Sequence, residues 1–317
     1  MALTLEQYAH YLGSRRLQWP SPPEIAPPKA RPYLVRLPNI RAVTWSVYGT
    51  LVAISGGELF FEHPDQFVME LALDKTVQEF KMWPSMSRKP GQPANYLQTI
   101  YSNLLAEQQL APGGVDKNPE IVADRLWESF ARKLIQKDYQ VDAGFYGSLN
   151  EFGQKVAYFF HASLQGTACY TGAVTALRHV VDSGLTQALL ADGQVFTPVQ
   201  LQRGLAQQDP AARLENLIPS QLQVLSSQVG VRKPSLDLFR QALSVLEREG
   251  IGPDQVLHIG SRIINDVAPA RRVGMKTGLF AGDKAALQAA PEQLKDPFTR
   301  PDVLLTNLEQ IKEIVPE

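Results

Sequence analysis

Four short stretches of this sequence end in side chains able to attack, to move protons or to hold an anion. "AVTWSVYGTLV", residues 42–52, carries Ser46 and Tyr48 two positions apart, followed by Gly49 and Thr50. "TQALLADG" delivers Asp192 and Gly193, and "VGVRKP" delivers Lys233. "VLHIGSRIINDVAP" delivers Ser261 and, five positions on, Asp266. Hydroxyl, phenol, carboxylate and ammonium are side chains of nucleophilic, acid–base and anion-holding chemistry. A serine hydroxyl is a weak nucleophile unless a base sits against it, and no base stands at a diagnostic spacing from Ser46. His258 lies on the strand leading to Gly260 and reads as a core histidine.

Each of these residues also has a plainer reading. Ser46 can be the polar end of a strand in a silent site. Lys233 can be the ion-pair partner of Asp266 rather than a ligand contact, because a buried lysine requires a partner. Asp192 can form a turn or cap ahead of Gly193, or it can be a relocated carboxylate that takes over the attack. Arg88 and Lys89, in the breaker-rich "MSRKPGQP", form a solvated loop or meet an anion.

The elements that must position these residues follow from periodicity and punctuation. Residues 1–40 form an extension: "LTLEQYAHYLGSRR" sets Leu5, Tyr8 and Leu12 on one helical face, and "WPSPPEIAPPKARPYLVRLP" is proline-studded, extended and non-helical. We read the latter as a strap, with Trp19, Tyr33 and Leu34 to bury. "RAVTWS", 41–46, is a buried strand, and residues 41–63 hold this strand and its turn. Residues 64–167 are helical. Met69, Leu73, Val77 and Phe80 recur at helical spacing, as do Leu97, Ile100, Tyr101, Leu104 and Leu105. A further helix over 118–137 takes Asn118 as N-cap and Pro119 at its first turn. Over 168–317, strands "TQALLA", "QVLSS", "QVLHIG", "KTGLFA" and "DVLLT" alternate with helices that end at glycines. That rhythm predicts an α/β fold, a doubly wound parallel sheet with the helical segment inserted as a cap over the strand ends.

Composition narrows the function. The chain has 317 residues, 44% of them hydrophobic, and a net charge of −1. No electrostatic footprint for nucleic acid or a membrane surface is present. The single cysteine, Cys169, allows no internal disulfide. No apolar run approaches the roughly 20 residues of a membrane span, and the first residues lack a secretory signal pattern. The expected location is the cytoplasm.

Taken in order, these stretches resemble the motifs of the haloacid dehalogenase (HAD) superfamily of hydrolases, over roughly 41–54 and 168–281, with a cap inserted where that family carries one. "VYGTLV" resembles the end of its first motif, "GVRKP" its lysine motif and "VLHIGSRIINDVAPARRVGM" its fourth. The resemblance implies a Rossmannoid core. It also implies an aspartate nucleophile, where this chain has Ser46, and an acid–base residue at Tyr48. The second-motif hydroxyl becomes Ala191, the lysine is Lys233, and the fourth-motif acids fall on Ser261 and Asp266. Tyr48, Gly49, Thr50, Leu51 and the Ser261–Asp266 spacing resemble the metal-free dehalogenases rather than the phosphatases. That variant expects serine and asparagine where Ala191 and Asp192 stand, and asparagine where Ile263 stands.

Replacement of acids at 46 and 261 leaves Asp266 as the one acidic metal candidate, so Mg²⁺ binding is expected to be weak or absent. The expected function is a catalytically inactive or strongly altered pseudo-hydrolase that keeps an anion-binding pocket. Its donors would be Lys233, the N–H groups after Gly49 around Thr50, and a helix start near Gly193. Phosphate or a carboxylate is the expected ligand. The alternatives are an active hydrolase with a relocated nucleophile, and a structural module whose proline-rich extension grips a protein partner.

Overall fold

A computed structural model describes residues 1–82, 93–110 and 118–315. The loop carrying Arg88 and Lys89 lies outside the described residues. The extension opens with α1 (Leu5–Ser14), whose N-terminus is closed by a reciprocal capping pair between Thr4 and Gln7. The first strand, β1 (Ala42–Trp45), is followed by a tight turn and the two-residue β2 (Val52–Ala53). The cap comprises α2 (Gln66–Glu79), α3 (Pro93–Leu110), α4 (Ala123–Ile135), α5 (Ala143–Tyr146) and α6 (Leu149–Leu164). The chain returns through β3 (Ala168–Cys169), which pairs antiparallel with β2 and closes the base of the cap.

The rest of the core runs α7 (Ala173–Asp182), β4 (Thr186–Ala191), α8 (Thr197–Gln208), α9 (Leu214–Leu217), β5 (Gln223–Leu225), α10 (Ser226–Val229) and α11 (Leu236–Glu247). It continues through β6 (Val256–Gly260), α12 (Ala268–Arg272), β7 (Lys276–Phe280), β8 (Val303–Leu305) and α13 (Ile311–Ile314). The six-stranded sheet has the order β5-β4-β1-β6-β7-β8 and every pairing in it is parallel. β1 is central, so all four of its residues are buried. This accounts for its unbroken apolar and β-branched run.

Helices cover both faces of the sheet. Val43, Trp45, Leu177, Leu189 and Ile311 share one cluster, while Ala188, Leu190, Leu238 and Phe239 share another. The cap has its own aromatic core around Trp127, Phe130, Phe152 and Phe160, which also takes in Tyr8 and Leu12 of α1 and Phe196 and Val199 of the core. The described residues include no helix long and apolar enough to cross a membrane.

Three local expectations are corrected. Asn118 and Pro119 do not start a helix: α4 begins at Ala123, and Pro119 forms an antiparallel bridge with Val231. Glu120 N donates to Gly230 O and Arg232 N to Asn118 O, both at 3.0 Å, so tertiary pairing overrides the capping signal. The strand "QVLSS" stops at Leu225, and Ser226 opens a helical turn instead. Tyr33 stays half exposed and contributes its backbone, pairing antiparallel with Leu304 at the sheet edge, whereas Trp19 packs edge-on against Phe159.

Trp45 is fully buried, and its indole N–H donates to Gln187 Oε1 at 3.0 Å. Gln187 in turn donates to the Leu177 and Leu217 carbonyls, tying the sheet to the helix layer. Trp45→Ala is expected to lower unfolding free energy by about 3–5 kcal/mol in denaturant titrations. A loss below about 1 kcal/mol would show that this layer does not organise the core.

Candidate functional site

The carboxyl end of β1 delivers Ser46, whose N–H donates to Ile259 O at 2.9 Å and so extends the pairing with β6 by one residue. The chain then winds around a single carbonyl: Val47 O accepts from the N–H groups of Thr50, Leu51 and Val52. Gly49 makes the turn at φ +77°, and a Cβ there would lie 2.8 Å from Ser261 Oγ. The turn therefore requires glycine on two grounds.

Three side chains from three strand ends meet here. Ser46 Oγ donates to Asp266 Oδ1 at 2.7 Å. The Lys233 ammonium donates to Asp266 Oδ1 at 2.5 Å and makes a short bond to Ser46 Oγ. Lys233 and Asp266 side chains are 2% and 4% exposed, so the pair is sealed from solvent. The second Asp266 oxygen accepts from Arg262 N at 2.9 Å. Gly260 makes room for this carboxylate, since a Cβ there would fall 2.2 Å from Asp266 Cγ.

Beneath the pair lies His258, 3.4 Å from Lys233 Nζ and 3.5 Å from Asp266 Oδ1, with its other ring nitrogen 2.9 Å from Thr44 Oγ1. His258 is thus a core residue that also touches the site. Burial, with Lys233 beside it, pushes its pKa down to about 4, and the ring is neutral at pH 7. Burial works to raise the Asp266 carboxyl, but the Lys233 ammonium, the His258 contact and Arg262 hold it well below the usual carboxylate range.

Tyr48, Asp192 and Gly193 line the same cavity as Ser46, Lys233 and Asp266, with their polar groups engaged as follows. Tyr48 turns towards α8, donating to Gln200 Oε1 at 2.5 Å and lying 3.0 Å from Thr197 Oγ1; burial pushes its phenol up. Asp192 does not reach Ser46. Its carboxylate accepts the main-chain N–H of Lys233 at 2.8 Å and so holds the lysine loop, and burial raises its pKa. The N–H groups of Gly49 and Thr50 already donate to Val52 O and Val47 O, and that of Gly193 to Ser226 Oγ. The helix expected near Gly193 begins four residues later, at Thr197. The Ser261 and Thr50 hydroxyls are buried with no hydrogen-bond partner among the described residues, and neither residue lines the cavity above Ser46.

That cavity is small, about 30 Å³, room for roughly one or two waters. Its walls include groups that the sequence motifs did not single out: Glu58, Glu120, Arg232 and Arg262. Arg262 lies 3.3 Å and Arg232 3.8 Å from Glu58 Oε2. Burial pushes the Glu120 carboxyl up to about 7, with nearby Asp192 adding to the push against a hydrogen bond from Ser226. Arg232 and Arg262 are adjacent to Lys233 and Ser261 in sequence and were within reach of motif reasoning. Glu120 arrives only through the pairing of 118–120 with 230–232, which no local pattern signals. Among the described residues, no group of three or more His, Cys, Asp or Glu side chains is placed to hold a metal ion.

Residues 230–311 match a family model described as HAD-hydrolase-like. No curated protein matches the sequence. Among solved structures, the chain is similar to a 2-haloacid dehalogenase from Pseudomonas syringae pv. Tomato DC3000, with 18% identity, 86% of this chain and 97% of that chain covered, and a TM-score of 0.51. It is also similar to the HAD-hydrolase YfnB of Bacillus subtilis (14% identity, 88% and 100% covered, TM-score 0.44). A third similar structure is an L-2-haloacid dehalogenase from Xanthobacter autotrophicus (18%, 86% and 96%, TM-score 0.43). The resemblance read from the motifs holds, and the fold is the HAD-like Rossmannoid sheet with a helical cap.

The buried pair carries a specific expectation. Lys233→Met strands a buried carboxylate and is expected to cost about 3–5 kcal/mol at pH 7. Because the Asp266 pKa is depressed in the folded protein, its stabilisation is present above the unfolded carboxylate value of about 3.9 and is lost only as pH falls through the folded value. The deficit of Lys233→Met should therefore shrink on acidification, as Asp266 takes a proton, and Lys233→Met/Asp266→Asn should recover part of it. Urea titrations between pH 7 and 4 that show a pH-independent deficit would contradict this pairing.

Proposed function

We propose that this chain, which has the fold of the HAD-like hydrolases, is a non-catalytic member whose former reaction centre has become a closed polar core with a small, weak anion site. The observation that carries this reading is the position of Ser46 Oγ, which donates to Asp266 while accepting from Lys233. Attack requires a free lone pair and a base that takes the proton. Here the ammonium occupies one of the two lone pairs of the hydroxyl oxygen and withdraws electron density from it, which lowers its nucleophilicity. The carboxylate next to the proton is held strongly acidic by the same ammonium, so it is a poor base. Of the other carboxylates in the cavity wall, Asp192 accepts the lysine backbone N–H, Glu58 faces two arginines and Glu120 accepts the Ile121 N–H.

The donor set does not suit Mg²⁺. An ammonium already sits 2.5 Å from Asp266 Oδ1, and a divalent cation beside it would be repelled. Ser46 supplies a neutral hydroxyl, and Ser261 stands off the cavity. Magnesium therefore has no part in this reading.

Anion binding is weak for the same reason. Lys233 is matched by Asp266, and Arg232 and Arg262 face Glu58. An incoming anion must compete with carboxylates already in place, in a space of about 30 Å³. Protonation of Glu120, near pH 7, removes one of these competing charges.

Calorimetric titration with 2-chloropropionate, a monoanion across this range, is expected to give a Kd of about 1 mM or weaker at pH 8. Affinity should rise about threefold or more by pH 6, and that rise should be absent in Glu120→Gln. No chloride release and no covalent adduct at Ser46 or Asp192 should be detected by mass spectrometry. Turnover of 2-chloropropionate or of p-nitrophenyl phosphate that disappears in Lys233→Ala would overturn the non-catalytic reading.

A further inference from the structure

Cap and core meet beside the narrow cavity over Ser46. Arg232 N donates to Asn118 O and Glu120 N to Gly230 O. The core residue Gln194 clamps the start of α4: its Oε1 accepts from Ala123 N at 2.9 Å and its Nε2 donates to Ile121 O at 2.8 Å. The cavity holds about 30 Å³, and widening it for a larger solute would part these bonds and swing the cap about its two linkers. One of those linkers is the segment between α6 and β3, containing Gly166.

The N-terminal strap crosses that linker. Ahead of it, the strap is fixed to the cap. Arg15 pairs with both oxygens of Glu79 at 2.7 Å, Tyr8 donates to Glu79, Leu3 N donates to Phe145 O, and Trp19 packs on Phe159. Beyond it, the strap is fixed to the core. Ala26 N donates to Asp283 and Ala26 O accepts from Lys284 N. Tyr33 then exchanges two bonds of 2.9 Å with Leu304, and Leu37 N donates to Ile314 O. At the crossing itself, Pro20 and Ser21 lie directly on Gly166. A Cβ there would fall 2.3 Å from Ser21 O and 2.5 Å from Pro20 O, so only glycine admits the strap. Between the cap anchor at Trp19 and the core anchor at Ala26 the sequence is "PSPPEI". Its prolines lock φ and make this a stiff tie rather than a slack linker.

We propose that residues 15–37 form a lock that spans the cap–core pivot and holds the cap shut, so that the cavity opens to a ligand only when the strap leaves one of its two anchors. A stiff tie on both bodies resists rotation between them. A cut in the tie converts that intramolecular restraint into a separate binding event and weakens it.

The test uses the full chain with a protease recognition sequence inserted between the exposed residues Glu24 and Ile25, cut after folding. Hydrogen exchange is followed at the amides of Glu120, Ala123 and Arg232, which report the cap–core seam, and at the β4 and β6 amides, which report the core. The cut chain is expected to exchange at the seam at least about tenfold faster than the uncut chain, with unchanged rates in β4 and β6. Gly166→Ala, which pushes the strap off the linker without a cut, should accelerate the same seam amides. Unchanged seam rates in both would overturn the proposal. So would a loss of protection spread equally over seam and core in both, because the strap would then be a general element of stability and not a lock.

Discussion

A buried ammonium at the carboxyl end of a parallel sheet constrains everything near it. Lys233 is sealed from water, and a charge so placed persists only with a partner of opposite sign and with its protons directed at acceptors. Asp266 supplies the charge, Ser46 Oγ supplies an acceptor, and the Phe239 ring lies 5.6 Å from Nζ. From this follow the missing side chain at Gly260, the carboxylate of Asp192 on the lysine backbone and a neutral imidazole at His258. Each of these either makes space for the pair, positions it or avoids adding a second positive charge.

On the proposed non-catalytic reading, the same pair accounts for how a hydrolase-like fold would give up its chemistry and keep its architecture. With a carboxylate at position 46, the ammonium would have two acids to balance. With Ser46 there, one acid remains and the ammonium is matched by it. The site is then electrostatically complete without substrate. The narrow cavity agrees with this. The seam at 118–123, the Gln194 clamp and the strap over Gly166 all join cap to core beside the strand ends.

Much of the fold was legible because it is repetitive. From residue 170 onward, apolar strands alternate with helices that stop at glycine, and such a rhythm has essentially one right-handed solution. The pairing of Lys233 with Asp266 was legible as well, as one of two readings of a buried lysine. What stayed hidden depends on contacts between distant segments. Asn118 and Pro119 carry a sound helix-start signal, yet the chain around them pairs with 230–232 instead. That pairing is also what brings Glu120 into the cavity. The N–H groups after Gly49 looked free for a ligand because sequence does not reveal that Val47 O accepts three bonds from the turn. Ser261 matches its motif by spacing, but its hydroxyl faces Gly49 and not the cavity.

The ionisation of Asp266 tests the account most directly, because a carboxylate of ordinary or raised basicity beside Ser46 would be a competent base. Carbon-13 detection of the Asp266 carboxyl across a pH titration, assigned with Asp266→Asn, reads it without any substrate. The account predicts a fully ionised signal from pH 9 down to about pH 4, with protonation only below the range of an ordinary aspartate. A titration midpoint above about 5 would contradict it and would return Ser46 to the set of working nucleophiles.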